Sequence, residues 1–180
     1  MILIGNDDAK KMVEREEAWQ FLYEYTHTTG IDMDLIAVDE RPDFDCEKEG
    51  RRYGLELVKV MQNFVLRGLG GDDHLDEQDA VSMIQNTVYA KERLRASPGW
   101  RYPDSTILVL QLVNSNGEAL MEYLDDKLME EMSETGFCEI WIADDSTMGP
   151  YGNVQLIGIK SERWRGLHRH SSYGKKEYDY

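Results

Sequence analysis

Cysteine is nearly absent from this chain: its 180 residues contain two, Cys46 and Cys138. A disulfide-stapled secreted scaffold is thereby excluded, and the pair reads as reduced, buried thiols, each set among strand-like residues. Apolar runs of the roughly 18 residues a membrane span needs are lacking too, so no membrane partner is expected. The first residues, Met1-Ile2-Leu3-Ile4-Gly5-Asn6-Asp7-Asp8, offer neither a basic flank nor a long apolar stretch. They read as no export signal, and the expected location is cytoplasmic. Gly68, Gly70 and Gly71 are not followed by Lys-Ser or Lys-Thr, which excludes a phosphate-cradling loop. A serine-centred nucleophile elbow is missing as well. His27, His74, His168 and His170 lack the spacing of zinc ligands.

Positive charge is scarce. Lys and Arg total 20 against 35 Asp and Glu, giving a net charge of −15 and a pI near 4.6. Tight binding of a phosphate backbone draws on clustered cations, so this balance weighs against a broad nucleic-acid footprint. From Lys160 to Lys176 the chain runs the other way: Lys160, Arg163, Arg165, Arg169, Lys175 and Lys176 face only Glu162, with Trp164 and Tyr173 interleaved. Residues 167–180 therefore read as a flexible basic and aromatic tail with the means to touch phosphates and stack on bases.

What is present fits one globular domain over residues 1–166, with 41% hydrophobic and 31% charged residues in the chain. A helix is predicted over 8–26, with Val13, Glu17, Phe21 and Glu24 on one stripe and Trp19, Leu22 and Tyr23 adding apolar surface. A strand is predicted over 31–38, then a hairpin with arms 43–47 and 52–61 joined across Lys48-Glu49-Gly50. A glycine-rich and acidic loop spans 67–79. The remaining elements are a helix over 80–96, a covered strand over 106–113, a helix over 118–134 capped by Ser115 or Asn116 and stopped at Gly136, and strands over 138–143 and 154–160. Asp144, Asp145 and Ser146 read as a turn cap. The fold class is α/β, a mixed central sheet flanked by helices.

Chemistry concentrates at two acids thirteen positions apart: Asp43 in Arg41-Pro42-Asp43-Phe44 and Glu56 in Gly54-Leu55-Glu56-Leu57-Val58-Lys59. One opens a strand and the other lies inside the next, so both can converge on a single hard cation held at about 2.0–2.6 Å by oxygens. Glu56 sits between Leu55 and Leu57, where an ionised carboxylate needs a cation or donors; the alternative is a structural ion pair. Lys59, three residues on, points to the opposite face by the two-residue period of a strand and reaches Glu56 only through a bulge. On the second helix, Ile84, Val88 and Lys91 fall at i, i+4 and i+7, so Lys91 shares the inward stripe and needs an acidic partner.

This order of helix, strand, Pro-Asp, hairpin, strand glutamate, helix and buried strand resembles the PD-(D/E)XK nuclease superfamily over roughly residues 8–115. The resemblance implies a restriction-endonuclease-like core. It also implies a nuclease that hydrolyses phosphodiester bonds of DNA or RNA, with Asp43 and Glu56 holding Mg²⁺ or Mn²⁺. Val58 stands where that superfamily carries its lysine, and Lys91 is similar to a lysine moved onto the following helix. Asp43, Glu56 and Lys91 are then the catalytic set, and Glu17 on the first helix, with Lys59, is a possible addition. The alternative is an inactive acidic member of the fold that binds a protein partner as an immunity or inhibitor factor, which the net charge favours.

Overall fold

The computed structural model describes residues 5–60, 77–112, 120–144, 154–161 and 166–168. Helix α1 spans Asn6–Thr29, followed by strands β1 (Met33–Val38), β2 (Phe44–Lys48) and β3 (Arg51–Val60). Helix α2 (Glu77–Arg95), β4 (Thr106–Leu112), α3 (Asp126–Ser133), β5 (Glu139–Asp144), β6 (Gln155–Lys160) and β7 (Gly166–His168) complete the order. The seven strands form one sheet in sequence order; β3–β4 and β4–β5 are parallel and the other pairs antiparallel. The protein is an α/β fold with a mixed central sheet flanked by helices.

Strand alternation sorts the side chains into two apolar layers. Leu108, Leu110, Leu112, Ile140 and Ile142 meet Ala80, Ile84 and Val88 of α2 and Met129 and Met132 of α3. On the opposite face Leu55, Ile107, Val109 and Trp141 meet Ala18, Phe21, Leu22 and Tyr25 of α1. All seven residues of β4 are buried, as its continuous apolar run requires of a strand covered on both faces. No helix among the described residues is long and apolar enough to cross a membrane.

Several expectations are corrected. The inward stripe of α1 is Ala18, Phe21, Leu22 and Tyr25, at i, i+3, i+4 and i+7, while Val13, Trp19 and Tyr23 remain 49%, 54% and 60% exposed. Residues 77–79 are the first turn of α2 rather than loop. The hairpin closes more tightly than expected. Lys48 pairs with Arg51, and Glu49 and Gly50 both take positive φ (50° and 72°), the twist that a two-residue turn needs. The single helix over 118–134 breaks: a turn ends at Leu124, and α3 restarts behind Asp125, whose side chain accepts from the Leu128 N–H at 2.8 Å. The helix ends at Ser133 with Glu134 as its C-cap, which agrees with the expected end.

Asp144 is a fully buried strand residue, not a turn cap. Leu167 and His168, expected in the tail, pair with Ile157 and Leu156. Lys160 is a strand residue that donates to the Thr135 carbonyl at 2.9 Å. His74, the 68–71 glycines, Ser115, Asn116, Asp145, Ser146, His170 and the basic and aromatic residues of the tail lie outside the described residues. Cys46 is buried and Cys138 half-buried, both free, and burial pushes their thiols up to about 12 and about 11.

Two polar side chains of α1 are buried, Tyr25 and, on the stripe expected from sequence, Glu24. Tyr25 donates its hydroxyl to Glu139, 3.1 and 3.0 Å from the two carboxylate oxygens, and accepts from Lys48 at 2.9 Å, so a buried ion pair closes around a buried phenol. Glu24 is 1% exposed, and burial pushes its carboxyl up to about 7 against the opposing pull of His27 and the Val154 N–H. A raised folded-state value means that stability is full near pH 4 and falls as pH rises toward 7. Glu24→Gln should remove that loss, gaining on the order of 1–2 kcal/mol over wild type at pH 8 and nothing at pH 4. Urea midpoints at the two pH values check it; a gain equal at both would contradict burial as the cause.

Candidate functional site

The site forms where β2 and β3 splay apart. Their ladder ends at the Phe44–Leu55 pair. Beyond it the side chains take over the hydrogen bonding: the Asp43 N–H donates to Glu56 Oε2 at 3.2 Å, and the Leu57 N–H donates to Asp43 Oδ2 at 3.0 Å. Each acid thus anchors the backbone next to the other, which locks both carboxylates at one place. Pro42, just before Asp43, packs over Gly54, where a methyl group would come within 2.3 Å of Pro42 Cγ and 3.0 Å of Thr106 Oγ1. A proline ring cannot swing away. Gly54→Ala should therefore cost about 1–3 kcal/mol by overpacking, read from urea unfolding. Unchanged stability would contradict this close approach.

Lys91 reaches Glu56 from α2, with Nζ 2.5 Å from Oε1. Ile84 and Val88 on the same stripe are fully buried, so the helix face that carries the lysine is the one packed on the sheet. Glu56 is 4% exposed, and its two oxygens receive Lys91 and the Asp43 N–H. Lys59 takes the other face, as the strand period dictates, and pairs with Glu17 of α1 at 2.7 Å. The sequence-read residues therefore divide. Asp43, Glu56 and Lys91 meet, while Glu17 and Lys59 pair with each other on the α1 side, where they line a cleft together with Asp43.

On the α1 side opens a cleft of about 570 Å³, lined by Lys10, Val13, Glu14, Glu17, Asp43, Phe44, Leu57, Val58, Lys59 and Gln111. Asp43 links this cleft to the Glu56–Lys91 pair. Burial, then the Glu56 charge, push the Asp43 carboxyl up to about 7; the Leu57 N–H and Lys91 pull it back, and Glu14 adds to the rise. Sequence reasoning missed Glu14 and Gln111. Glu14 is one of several acids on the first helix, beside Glu16, Glu17 and Glu24, and its spacing does not single it out. Gln111 did carry a signal, an amide between Leu110 and Leu112 in a strand covered on both faces.

Among the described residues no group of three or more His, Cys, Asp or Glu is placed to share a metal ion. The donor set is the two carboxylates. That set suits Mg²⁺ or Mn²⁺, because such ions keep several waters and take only one or two protein carboxylates beside substrate oxygens. It does not suit zinc, which wants nitrogen and sulfur. The Glu56 charge, which adds to the effect of burial in raising Asp43, is one a divalent cation offsets. His27 lies against the Tyr23 ring in a tilted contact, 4.4 Å between centroids, outside this site. In comparisons with known proteins, no family model, no curated protein and no solved structure matches this chain.

Proposed function

We propose that the chain is a divalent-metal-dependent nuclease with a restriction-endonuclease-like core, hydrolysing phosphodiester bonds of DNA or RNA. The observation that carries this reading is the convergence of Asp43 and Glu56 through reciprocal hydrogen bonds, with the Lys91 ammonium 2.5 Å from Glu56. Asp43 and Glu56 would hold Mg²⁺ or Mn²⁺, which when bound polarises a phosphate and lowers the pKa of water. Asp43 presents its carboxylate to the cleft, where a phosphodiester enters. Lys91 fixes the Glu56 carboxylate and sets a positive charge beside the acids, favouring the negative charge that builds at phosphorus. The two free thiols suit a reducing cytoplasm.

A second reading, an inactive member of the fold that binds a protein partner through its acidic surface, is favoured by the net charge of −15. Cleavage of plasmid, single-stranded DNA and RNA with Mg²⁺, Mn²⁺ or EDTA separates the two. Metal-dependent products that Asp43→Asn does not form support hydrolysis. No products from any substrate move the assignment to protein binding.

A further inference from the structure

The cations around the cleft are already matched. Lys10 lies 3.7 Å from Glu14, Lys59 2.7 Å from Glu17 and Lys91 2.5 Å from Glu56, and Arg101, near the same end of the sheet, is held by Asp39 and Asp45. Duplex DNA presents about one charge per 1.7 Å of its axis, and holding it takes a row of cations free to displace counterions. This surface supplies no such row among the described residues. The cleft instead has the scale of pockets that enclose one small ligand, about 300–1,000 Å³. Its walls include the half-exposed Val13 and Leu57, apolar surface on which a base ring can lie.

Gln111 is 4% exposed, lines the cleft and makes no side-chain hydrogen bond among the described residues. Its amide is not among the fully enclosed polar groups, so it opens onto the cleft, where a ligand can take the place of water. Its register partner, Lys59, is tied to Glu17. An amide carries both a donor and an acceptor, which is what the edge of an unpaired base offers in return.

Resting on the proposed nuclease activity, we propose that the cleft takes an unpaired nucleotide unit of a phosphodiester, with Gln111 hydrogen-bonding it, and that duplex is not its substrate. The source is either a free dinucleotide or a longer single strand; the chemistry recognised is the same.

The test uses the whole chain and two readouts. Anisotropy of a labelled dinucleotide, a single-stranded 20-mer and the same 20-mer as blunt duplex is measured with Ca²⁺, which takes oxygen ligands like those of Mg²⁺. Cleavage of all three is followed with Mn²⁺. The single strand should bind and be cleaved at least about tenfold better than duplex, a difference of about 1.4 kcal/mol. Equal binding of the dinucleotide assigns the cleft to free dinucleotides, and tighter binding of the 20-mer assigns it to strands. Gln111→Leu should weaken single-strand binding about tenfold and raise KM with little change in kcat, while its melting temperature stays level or rises. Gln111→Glu, which keeps the acceptor and loses the donors, should also bind less well.

Duplex bound as well as the single strand, or a Gln111→Leu protein that binds single strands unchanged, overturns this inference and leaves the nuclease reading intact. A lower melting temperature for Gln111→Leu would make Gln111 structural and overturn it too. Single-strand binding that depends on Gln111, without cleavage of any substrate, sinks the nuclease reading alone.

Discussion

Asp43→Asn should lose metal-dependent phosphodiester hydrolysis by about 10³-fold or more and, without metal, should be more stable than wild type above pH 7. The two effects have one cause. Asp43 lies beside Glu56, and burial with that neighbouring charge raises its carboxyl from 3.8 to about 7. The unfolded chain ionises near the lower value and the folded chain near the upper one. The folded state therefore holds more protons between them, and stability falls as pH rises through that window. Asparagine has nothing to ionise, and its side-chain oxygen still accepts the Leu57 N–H that Asp43 receives at 3.0 Å. A gain on the order of 2 kcal/mol at pH 8, absent at pH 4, is the expected result. Urea unfolding at both pH values checks the stability, and cleavage with Mn²⁺ checks the activity. Lost activity together with lost stability at pH 8 would instead make Asp43 a structural residue. Glu24 gives a slope of the same sign, so the measurement is best made in the Glu24→Gln background.

Lys91→Ala should be the most destabilising single change at the site, at about 3 kcal/mol, because it strands the Glu56 charge in the sheet. Glu56 has a 6% exposed side chain, whereas Lys91 is 22% exposed and can turn its ammonium toward water. The pair is thus asymmetric. Glu56→Gln leaves a lysine with an escape and an amide that still accepts, so its cost should be about 1 kcal/mol. Lys91→Met, which keeps a side chain of similar length but not the charge, should fall nearer to Lys91→Ala than to wild type. Chemical denaturation orders the four proteins. A larger loss for Glu56→Gln than for Lys91→Ala would reverse the assignment of which charge depends on the other.

Where the sequence is locally periodic, the structure was readable. The strand period separated Lys59 from Glu56, and the helix stripe through Ile84, Val88 and Lys91 carried the lysine to the acid 35 positions away. The covered strand Thr106–Leu112 was legible from its apolar run. Other features depend on partners distant in sequence. Trp19 and Tyr23 look like core residues by type, yet the stripe turned inward is set by Ala18 and Tyr25, small and aromatic residues that fit Trp141 and Cys46. Asp125 caps a helix in mid-segment, and an acid there is indistinguishable in sequence from a solvated helix position until the chain is seen to bend. Tyr25 and Glu139 are 114 positions apart, and no local pattern pairs them with Lys48. The convergence of Asp43, Glu56 and Lys91 follows from alternation and helix phase. The cleft and Gln111 follow only from how α1 lies across the sheet.

Two carboxylates sharing one divalent ion are the centre of the proposed function, and titration calorimetry of Mn²⁺ into the whole chain at pH 8 tests that sharing most directly. Wild type should bind one Mn²⁺ per chain, with a rise in melting temperature on addition of the ion, and both signals should vanish in Asp43→Asn and in Glu56→Gln. Binding that survives unchanged in either variant, or no binding by wild type at millimolar Mn²⁺, would contradict it.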